Sequence, residues 1–176
     1  MAIKTLLVFF ILTLFYSFVI NDTSETNEFV SPVLKTRRPF NRFSFSGKSY
    51  YVNNVVKGNF FLAWQFCRQQ DMHVLSIKSQ EESDKIAAFL RNNDLNKDRY
   101  WTSGTNLGDE NAPWMWLSTG KKLSYTNWDS RQPNNLNETE NCIEARFSEN
   151  NDFKWNDEDC WTELYVICES VPDCKT

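Results

Sequence analysis

Histidine is almost absent from this chain, because His73 is the only one among 176 residues. The chain therefore cannot hold a catalytic zinc through several histidines. His73 also stands alone, without a nearby nucleophile, at the point where a predicted helix gives way to an apolar stretch. We interpret His73 as a structural residue, and most hydrolase and metalloenzyme classes are disfavoured from the outset.

The chain also lacks an excess of positive charge. Nineteen lysines and arginines face 23 aspartates and glutamates, which gives a net charge of −4 and an isoelectric point near 5.1. A nucleic-acid-binding protein needs a basic surface, so no nucleic acid is expected as a partner. Aromatic residues make up 15% of the chain, enough apolar bulk for the core of one folded domain.

The one long hydrophobic run is too short to span a bilayer. It covers 15 residues, from Leu6 to Ile20, and follows Lys4, whereas a membrane-spanning helix needs about 20. We therefore predict a signal peptide over residues 1–20, with a signal anchor as the alternative, and a linker over 21–39. The protein is then secreted and extracellular, and the sequons at Asn21 and Asn137 become glycosylation sites.

Cysteine pairs of the Cys-x-x-Cys type are missing, which disfavours a zinc site. The chain has five cysteines, all after the predicted signal peptide, namely Cys67, Cys142, Cys160, Cys168 and Cys174. In an oxidising compartment, disulfides are the expected state. Because the count is odd, two disulfides leave one thiol over. Cys174, near the C-terminus, is the natural remainder and the candidate for a disulfide-linked dimer.

The order of predicted elements indicates an α+β fold. Tyr50–Val52 is typical of a strand, and apolar residues at helical spacing predict a first helix over Phe60–Cys67. Ser79 and Glu82 have the form of a capping box, which predicts a second helix ending near Arg91. Short aromatic strands separated by long polar loops follow from Trp101 onward, and we expect most of their tryptophans in the core.

Oxygen-bearing side chains are concentrated in two segments, 131–142 and 155–160. The side-chain oxygens of five residues, together with the Asp157 carbonyl, supply six ligands for a hard cation such as calcium: Gln132, Asn134, Glu140, Asn156 and Asp157. Two coordination places would remain open. A solvated polar loop without a metal is the alternative interpretation of the same residues.

Residues 40–170 resemble the C-type lectin domain, especially the secreted insect kind. Four motifs carry the resemblance: Trp101-Thr102-Ser103-Gly104, Gln132-Pro133-Asn134, Glu140-Asn141-Cys142 and Trp155-Asn156-Asp157. The resemblance implies a C-type lectin-like fold with two helices, small antiparallel sheets and a long calcium-binding loop region, followed by a C-terminal tail over 171–176. It also implies the disulfides Cys67–Cys168 and Cys142–Cys160 and a cis peptide bond at Pro133. The function implied is calcium-dependent binding of glycans on cell surfaces or microbes, with no enzymatic activity.

The tripeptide Gln132-Pro133-Asn134 departs from the family pattern, which is Glu-Pro-Asn in mannose-type and Gln-Pro-Asp in galactose-type members. Neither carboxylate is present here, so we expect weak calcium binding and only a slight preference for galactose, with mannose as the alternative. The family's second calcium site has amides in place of acids at Asn106, Asn135 and Asn141, with only Glu110 retained, so one Ca²⁺ is expected. The rival function is a lectin-like domain that has lost useful sugar binding and acts as a protein-interaction module.

Overall fold

The computed structural model describes residues 41–109 and 111–170, and this part of the chain contains nine β-strands and two α-helices. The strands are β1 (Arg42–Phe45), β2 (Lys48–Gly58), β3 (Met72–Val74), β4 (Arg99–Thr105), β5 (Met115–Trp116), β6 (Lys121–Lys122), β7 (Glu140–Phe147), β8 (Phe153–Asp159) and β9 (Leu164–Ser170). The helices are α1 (Phe60–Arg68) and α2 (Gln80–Asn92). The predicted α+β class and both predicted helices are confirmed.

Hydrogen bonds connect all nine strands of the described residues into one sheet. Its main path runs β1-β2-β9-β4-β5-β6, with β3 on β9 and the β7–β8 hairpin on β4. The pairing of β4 with β9 is parallel and the other pairings are antiparallel. The sheets expected from the sequence are therefore joined, because β4 pairs with both β9 and β7. Tyr125–Trp128 forms no strand, and its strand-like pairing with β8 is an isolated bridge between Trp128 and Trp155.

Each helix begins at a side-chain cap. Asn59 accepts a hydrogen bond from Leu62 N at 3.0 Å, and Ser79 accepts one from Glu82 N at 3.2 Å, as the capping prediction requires. In a capping box the glutamate side chain would accept a hydrogen bond from the backbone N–H of Ser79, but here it accepts from the preceding residue. Glu82 Oε2 accepts from Lys78 N at 2.7 Å, and its other oxygen accepts from the Tyr50 hydroxyl, so the same carboxylate ties α2 to the sheet.

Two clusters of buried side chains form the core. One lies around α2 and includes Trp116, Trp155 and Ile143; the other lies around α1 and includes Trp101 and both disulfides. Three tryptophans are fully buried, as expected, whereas Trp161 is exposed. Gly104 belongs to a tight contact, since a Cβ atom there would lie 2.4 Å from Ile143 Cδ1. The glycine of the Trp-x-x-Gly motif is thus required by packing against β7.

Both disulfides implied by the family resemblance are present within one chain. Cys67–Cys168 closes a separation of 101 residues and Cys142–Cys160 one of 18 residues. In the chain-entropy model, loops of these sizes are worth about 4.7 and 3 kcal/mol of stability. Because these links are intrachain, they give no support to a disulfide-linked dimer, and Cys174 lies outside the described residues.

Several further predictions fall on residues that are not described. These are the signal peptide over 1–20, the linker over 21–39, the sequon at Asn21, Glu110 and the tail over 171–176. No helix within residues 41–109 and 111–170 is long and apolar enough to cross a membrane. His73 lies in β3 opposite Glu169 of β9.

Candidate functional site

The β7–β8 hairpin supplies three of the five predicted ligand residues. Glu140 opens β7 opposite Asp159, and Asn156 and Asp157 lie in the middle of β8. The side chains of all three are buried or nearly so. The Cys142–Cys160 disulfide joins the two strands beside this end of the hairpin. The strand pairing and the disulfide therefore fix the positions of Glu140, Asn156 and Asp157 relative to one another.

The tripeptide segment is attached to this hairpin by hydrogen bonds from its backbone. The Gln132–Pro133 peptide bond is cis, as the resemblance implies. Asn134 N donates to Asp157 Oδ1 at 3.1 Å and Asn135 N donates to Asp157 Oδ2 at 2.6 Å. Both oxygens of the Asp157 carboxylate thus hold the segment in place, while the Asn134 side chain is exposed.

Glu140 performs a similar role on the other side of the loop. Its Oε2 accepts from Leu136 N at 2.8 Å, and its backbone N donates to Asn135 Oδ1 at 3.0 Å. Asn135 and Asn137 both have positive φ angles, 44° and 56°, which asparagine adopts more readily than most residues. Burial raises the pKa of the Glu140 carboxyl, the Leu136 N–H opposes this rise, and the negative charge of Asp157 adds to it.

Asn156 is oriented by a buried carboxylate that the sequence analysis did not identify. Asn156 Nδ2 donates to Glu144 Oε1 at 3.0 Å and also to the Asp157 carbonyl. Since a carboxylate accepts only from the NH₂ end of an amide, this contact fixes which end of Asn156 carries the oxygen. The oxygen is therefore the end that remains available to a cation.

Glu144 is itself held by two arginines. Arg99 Nε lies 2.5 Å from Glu144 Oε2 and Arg146 Nε lies 3.3 Å from Glu144 Oε1, and Arg99 also pairs with Glu158. Burial raises the pKa of Glu144, whereas Arg99 lowers it. The Ile-Glu-Ala pattern over 143–145, a single acid between apolar residues of a strand, was the signal in the sequence that could have revealed this support.

Gln132 presents an unusual feature for a polar side chain. Its Oε1 atom is buried and accepts no hydrogen bond from any described residue. Buried oxygens almost always have a hydrogen-bond partner. A buried oxygen without one is therefore a candidate ligand for a bound ion. The carboxylate and amide oxygens gathered here are the hard donors that Ca²⁺ takes, so the residues present fit that ion.

The five predicted ligand residues are connected to one another by different kinds of contact. Asn134 is bonded to Asp157 through its backbone, Asn156 to Asp157 through its side chain, and Glu140 to the same loop. Gln132 is joined to them through the cis peptide bond. Among the described residues no three His, Cys, Asp or Glu side chains are grouped to hold a metal. The five predicted residues include two carboxylates, Glu140 and Asp157, and three amides.

Comparison with known proteins decides the family. The family model described as Lectin C-type domain matches residues 56–170. The chain belongs to the C-type lectin domain family. The C-type lectin mosGCTL-7 of Aedes aegypti is 32% identical over 127 residues, which are 69% of this chain and 83% of that protein.

Solved C-type lectin domains have the same fold. The mouse scavenger receptor C-type lectin carbohydrate-recognition domain superposes with a TM-score of 0.64 at 28% identity, covering 76% of this chain and 97% of that one. The carbohydrate-recognition domain of cow CD23, solved in the presence of a GlcNAc2Man3 oligosaccharide, has a TM-score of 0.64 at 26% identity, covering 78% and 98%. Like these relatives, this C-type lectin chain is not an enzyme.

Proposed function

We propose that this C-type lectin domain is a secreted receptor that binds glycans in a calcium-dependent manner, through Gln132, Asn134, Glu140, Asn156 and Asp157. The observation that carries the proposal is the buried Gln132 Oε1, an acceptor without a hydrogen-bond partner among the described residues, in a segment whose backbone is held by the buried carboxylate of Asp157. A cation in this position would satisfy that oxygen and the two negative charges together.

The five residues have different roles in binding the ion and the sugar. Glu140 and Asp157 supply the negative charge, and the amide oxygens of Gln132, Asn134 and Asn156 supply neutral ligands. A Ca²⁺ held by these residues would supply Lewis-acid coordination for two vicinal hydroxyls of a sugar. Both N–H groups of Asn156 are already bonded to Glu144 and Asp157, so the amide N–H groups of Gln132 and Asn134 would donate to these hydroxyls. The protons of the hydroxyls find few acceptors, because the tripeptide has no carboxylate.

The amide composition also bears on which sugar is preferred. Gln132 matches the first position of the galactose-type tripeptide and Asn134 the third position of the mannose type. We infer a slight preference for galactose, and mannose-type sugars bind through the same five residues. One Ca²⁺ is expected, because Asn135 Oδ1 is already bonded to Glu140 N and is an amide where a second site needs an acid.

A second candidate function is a protein-interaction module that does not use calcium. The observation in its favour is that Asp157 accepts two backbone N–H bonds and Glu140 one. These bonds hold the loop in its folded conformation without an ion. They leave further lone pairs on each oxygen, so they allow calcium binding but do not require it.

The first experiment separates these two functions. Calcium titration by calorimetry, together with melting curves in calcium and in chelator, should show binding and a rise in Tm, because an ion that binds only the folded state stabilises it by about 2.7 kcal/mol at a hundredfold excess over Kd. An unchanged melting curve in millimolar calcium would favour the protein-interaction module. A glycan array with and without calcium then identifies the ligands.

The second experiment tests the assignment of the tripeptide. Gln132→Glu and Asn134→Asp each add one carboxylate, on opposite sides of Pro133, and both should tighten calcium binding. Gln132→Glu should shift preference towards mannose and Asn134→Asp towards galactose, by about tenfold to a hundredfold for one charge-assisted hydrogen bond. Titration with methyl mannoside and methyl galactoside measures the ratio. If both variants move this ratio in the same direction, the tripeptide does not set specificity.

A further inference from the structure

An apolar cavity lies directly beside the candidate glycan site. Its volume is about 340 Å³, and it is lined by Phe61, Leu107, Thr139, Asp159, Cys160 and Trp161. Thr139 immediately precedes Glu140 in the chain, and Asp159 is the residue opposite Glu140 in the β7–β8 pairing. The cavity is therefore continuous with the end of the hairpin that carries the proposed ligands of the ion.

Three large apolar side chains of this cavity are exposed to solvent. Trp161 is 69% exposed, Leu107 51% and Phe61 44%. The rings of Phe61 and Trp161 have centroids 5.4 Å apart and planes inclined by 51°. The two tilted rings and Leu107 line an open cleft with aromatic faces, and such exposed apolar surface is typical of binding sites.

The backbone that carries the two rings is firmly held. Trp161 N donates to Asp159 Oδ1 at 2.9 Å, and Phe60 N donates to the Cys160 carbonyl at 2.9 Å. Phe61 also packs edge-on against Phe60, which is buried against Trp101. The segments bearing the rings are thus fixed before any ligand binds, which reduces the entropy lost on binding.

We propose that this cavity, which we name the Trp161 subsite, binds a second saccharide ring, the one linked to the sugar at the calcium site. The proposal rests on the proposed glycan-binding function. A pyranose ring has an apolar C–H face that packs on aromatic rings and a rim of hydroxyls that need hydrogen-bond partners. The Trp161 subsite offers both: two aromatic faces, and the Asp159 carboxylate and Thr139 hydroxyl at its rim.

These polar groups favour a saccharide over a hydrocarbon chain as the occupant. Asp159 Oδ1 already accepts from Trp161 N and the Thr139 hydroxyl donates to the Leu136 carbonyl, but both side chains keep further lone pairs. Sugar hydroxyls can donate to these lone pairs, whereas a hydrocarbon would cover them without hydrogen bonds, which is unfavourable. The neighbouring acids Glu140, Asp157 and Glu158 also disfavour approach to an anionic lipid surface. The sequence alone did not separate Trp161 from the core tryptophans, and its exposure beside the site is what distinguishes it.

The test compares a monosaccharide with a disaccharide that ends in the same sugar, each titrated calorimetrically in saturating calcium. Methyl galactoside and lactose form one such pair, and methyl mannoside and an α-linked mannobiose form another. In the unsubstituted protein, at least one disaccharide should bind about threefold to tenfold more tightly than its monosaccharide, the gain that one aromatic contact provides.

Trp161→Ala should remove this gain and leave the monosaccharide affinity unchanged, and Trp161→Phe should retain part of it. Because Trp161 is exposed, its replacement leaves the core intact. Val55→Ala is the matched control, since Val55 is 82% exposed and does not line the cavity. This control should bind both sugars like the unsubstituted protein.

Two results would overturn the proposal: a disaccharide gain that persists in Trp161→Ala, or the absence of any gain in the unsubstituted protein. An octyl glycoside that gains more than the disaccharide, with dependence on Trp161, would assign the cavity to a hydrocarbon instead. The monosaccharide titration keeps the two proposals distinct. If no monosaccharide binds with calcium, the proposed function fails at that step, before the Trp161 subsite is compared.

Discussion

Glu144→Gln is the substitution that tests how the site orients its ligands. Glu144 is fully buried, accepts hydrogen bonds from Arg99 and Asn156, and forms an ion pair with Arg146. Glutamine has nearly the same shape but replaces one acceptor oxygen with an NH₂ donor. If the remaining oxygen accepts from Arg99, the new NH₂ faces the NH₂ group of Asn156. The Asn156 amide then turns over, which directs its oxygen away from the ion.

The expected effect follows from the number of ligands. One of six protein oxygens would be replaced by a donor, and loss of a residue that orients a metal ligand commonly lowers metal affinity by about tenfold to a hundredfold. Folding stability should also fall by about 1.5–3 kcal/mol, because the hydrogen bond from Arg99 loses its charged acceptor and Arg146 loses its ion-pair partner. Calcium calorimetry and urea unfolding measure the two effects separately.

Glu158→Gln is the matched control for loss of charge. Glu158 also pairs with Arg99, but it is not a hydrogen-bond partner of Asn156, which donates to Glu144 and Asp157. Both variants lose one negative charge near the site, so both should weaken calcium binding slightly. If Glu144→Gln weakens it no more than Glu158→Gln does, Glu144 acts through its charge alone and the argument about orientation is refuted.

Two further substitutions test the scaffold. Gly104→Ala should cost about 1–3 kcal/mol by overpacking, since its Cβ would lie 2.4 Å from Ile143 Cδ1; urea unfolding measures this cost, and Ile143→Val, which removes Cδ1, should recover part of it. Lys48→Met should cost about 3 kcal/mol at neutral pH, because Lys48 pairs with the buried Glu82 and Glu169 at 2.8 and 2.7 Å. Burial already raises the pKa of Glu169 above 4.5 while Lys48 lowers it, so without Lys48 the folded state takes up protons at higher pH. The deficit of Lys48→Met should therefore shrink as the pH falls through the carboxyl range, and a constant deficit from pH 7 to pH 4 would refute this assignment.

Local signals in the sequence were sufficient to predict the helices and the family. Ser79 caps its helix as predicted, and Asn59 caps the first helix in the same way without having been predicted, because a side-chain oxygen before an apolar repeat satisfies free backbone N–H groups. The paired cysteines and the cis bond at Pro133 followed from the motifs in the correct order. These features depend on residues close together in the chain or on a pattern shared across the family.

Features that depend on contacts across the sheet were not predicted. Glu144 meets Asn156 only because β7 and β8 pair in that register, and Arg99 reaches both Glu144 and Glu158 from β4. Trp161 is exposed although six other tryptophans are wholly or partly buried, since it lies in the turn between β8 and β9. Side-chain type alone does not distinguish such positions, because burial is set by the tertiary arrangement.

The hydrogen bonds of Asp157 and Glu140 bear on both candidate functions, because they order the loop whether or not an ion is bound. Three backbone N–H groups, those of Asn134, Asn135 and Leu136, are satisfied by these two carboxylates. The loop is therefore ordered before the ion arrives, so calcium binding loses little free energy to ordering it. The same hydrogen bonds partly compensate the negative charge of the two carboxylates. The tripeptide Gln132-Pro133-Asn134 contributes no further negative charge to the site. A preformed site with few charges should favour weak, readily reversible calcium binding, in which glycan capture depends strongly on the calcium concentration of the surroundings.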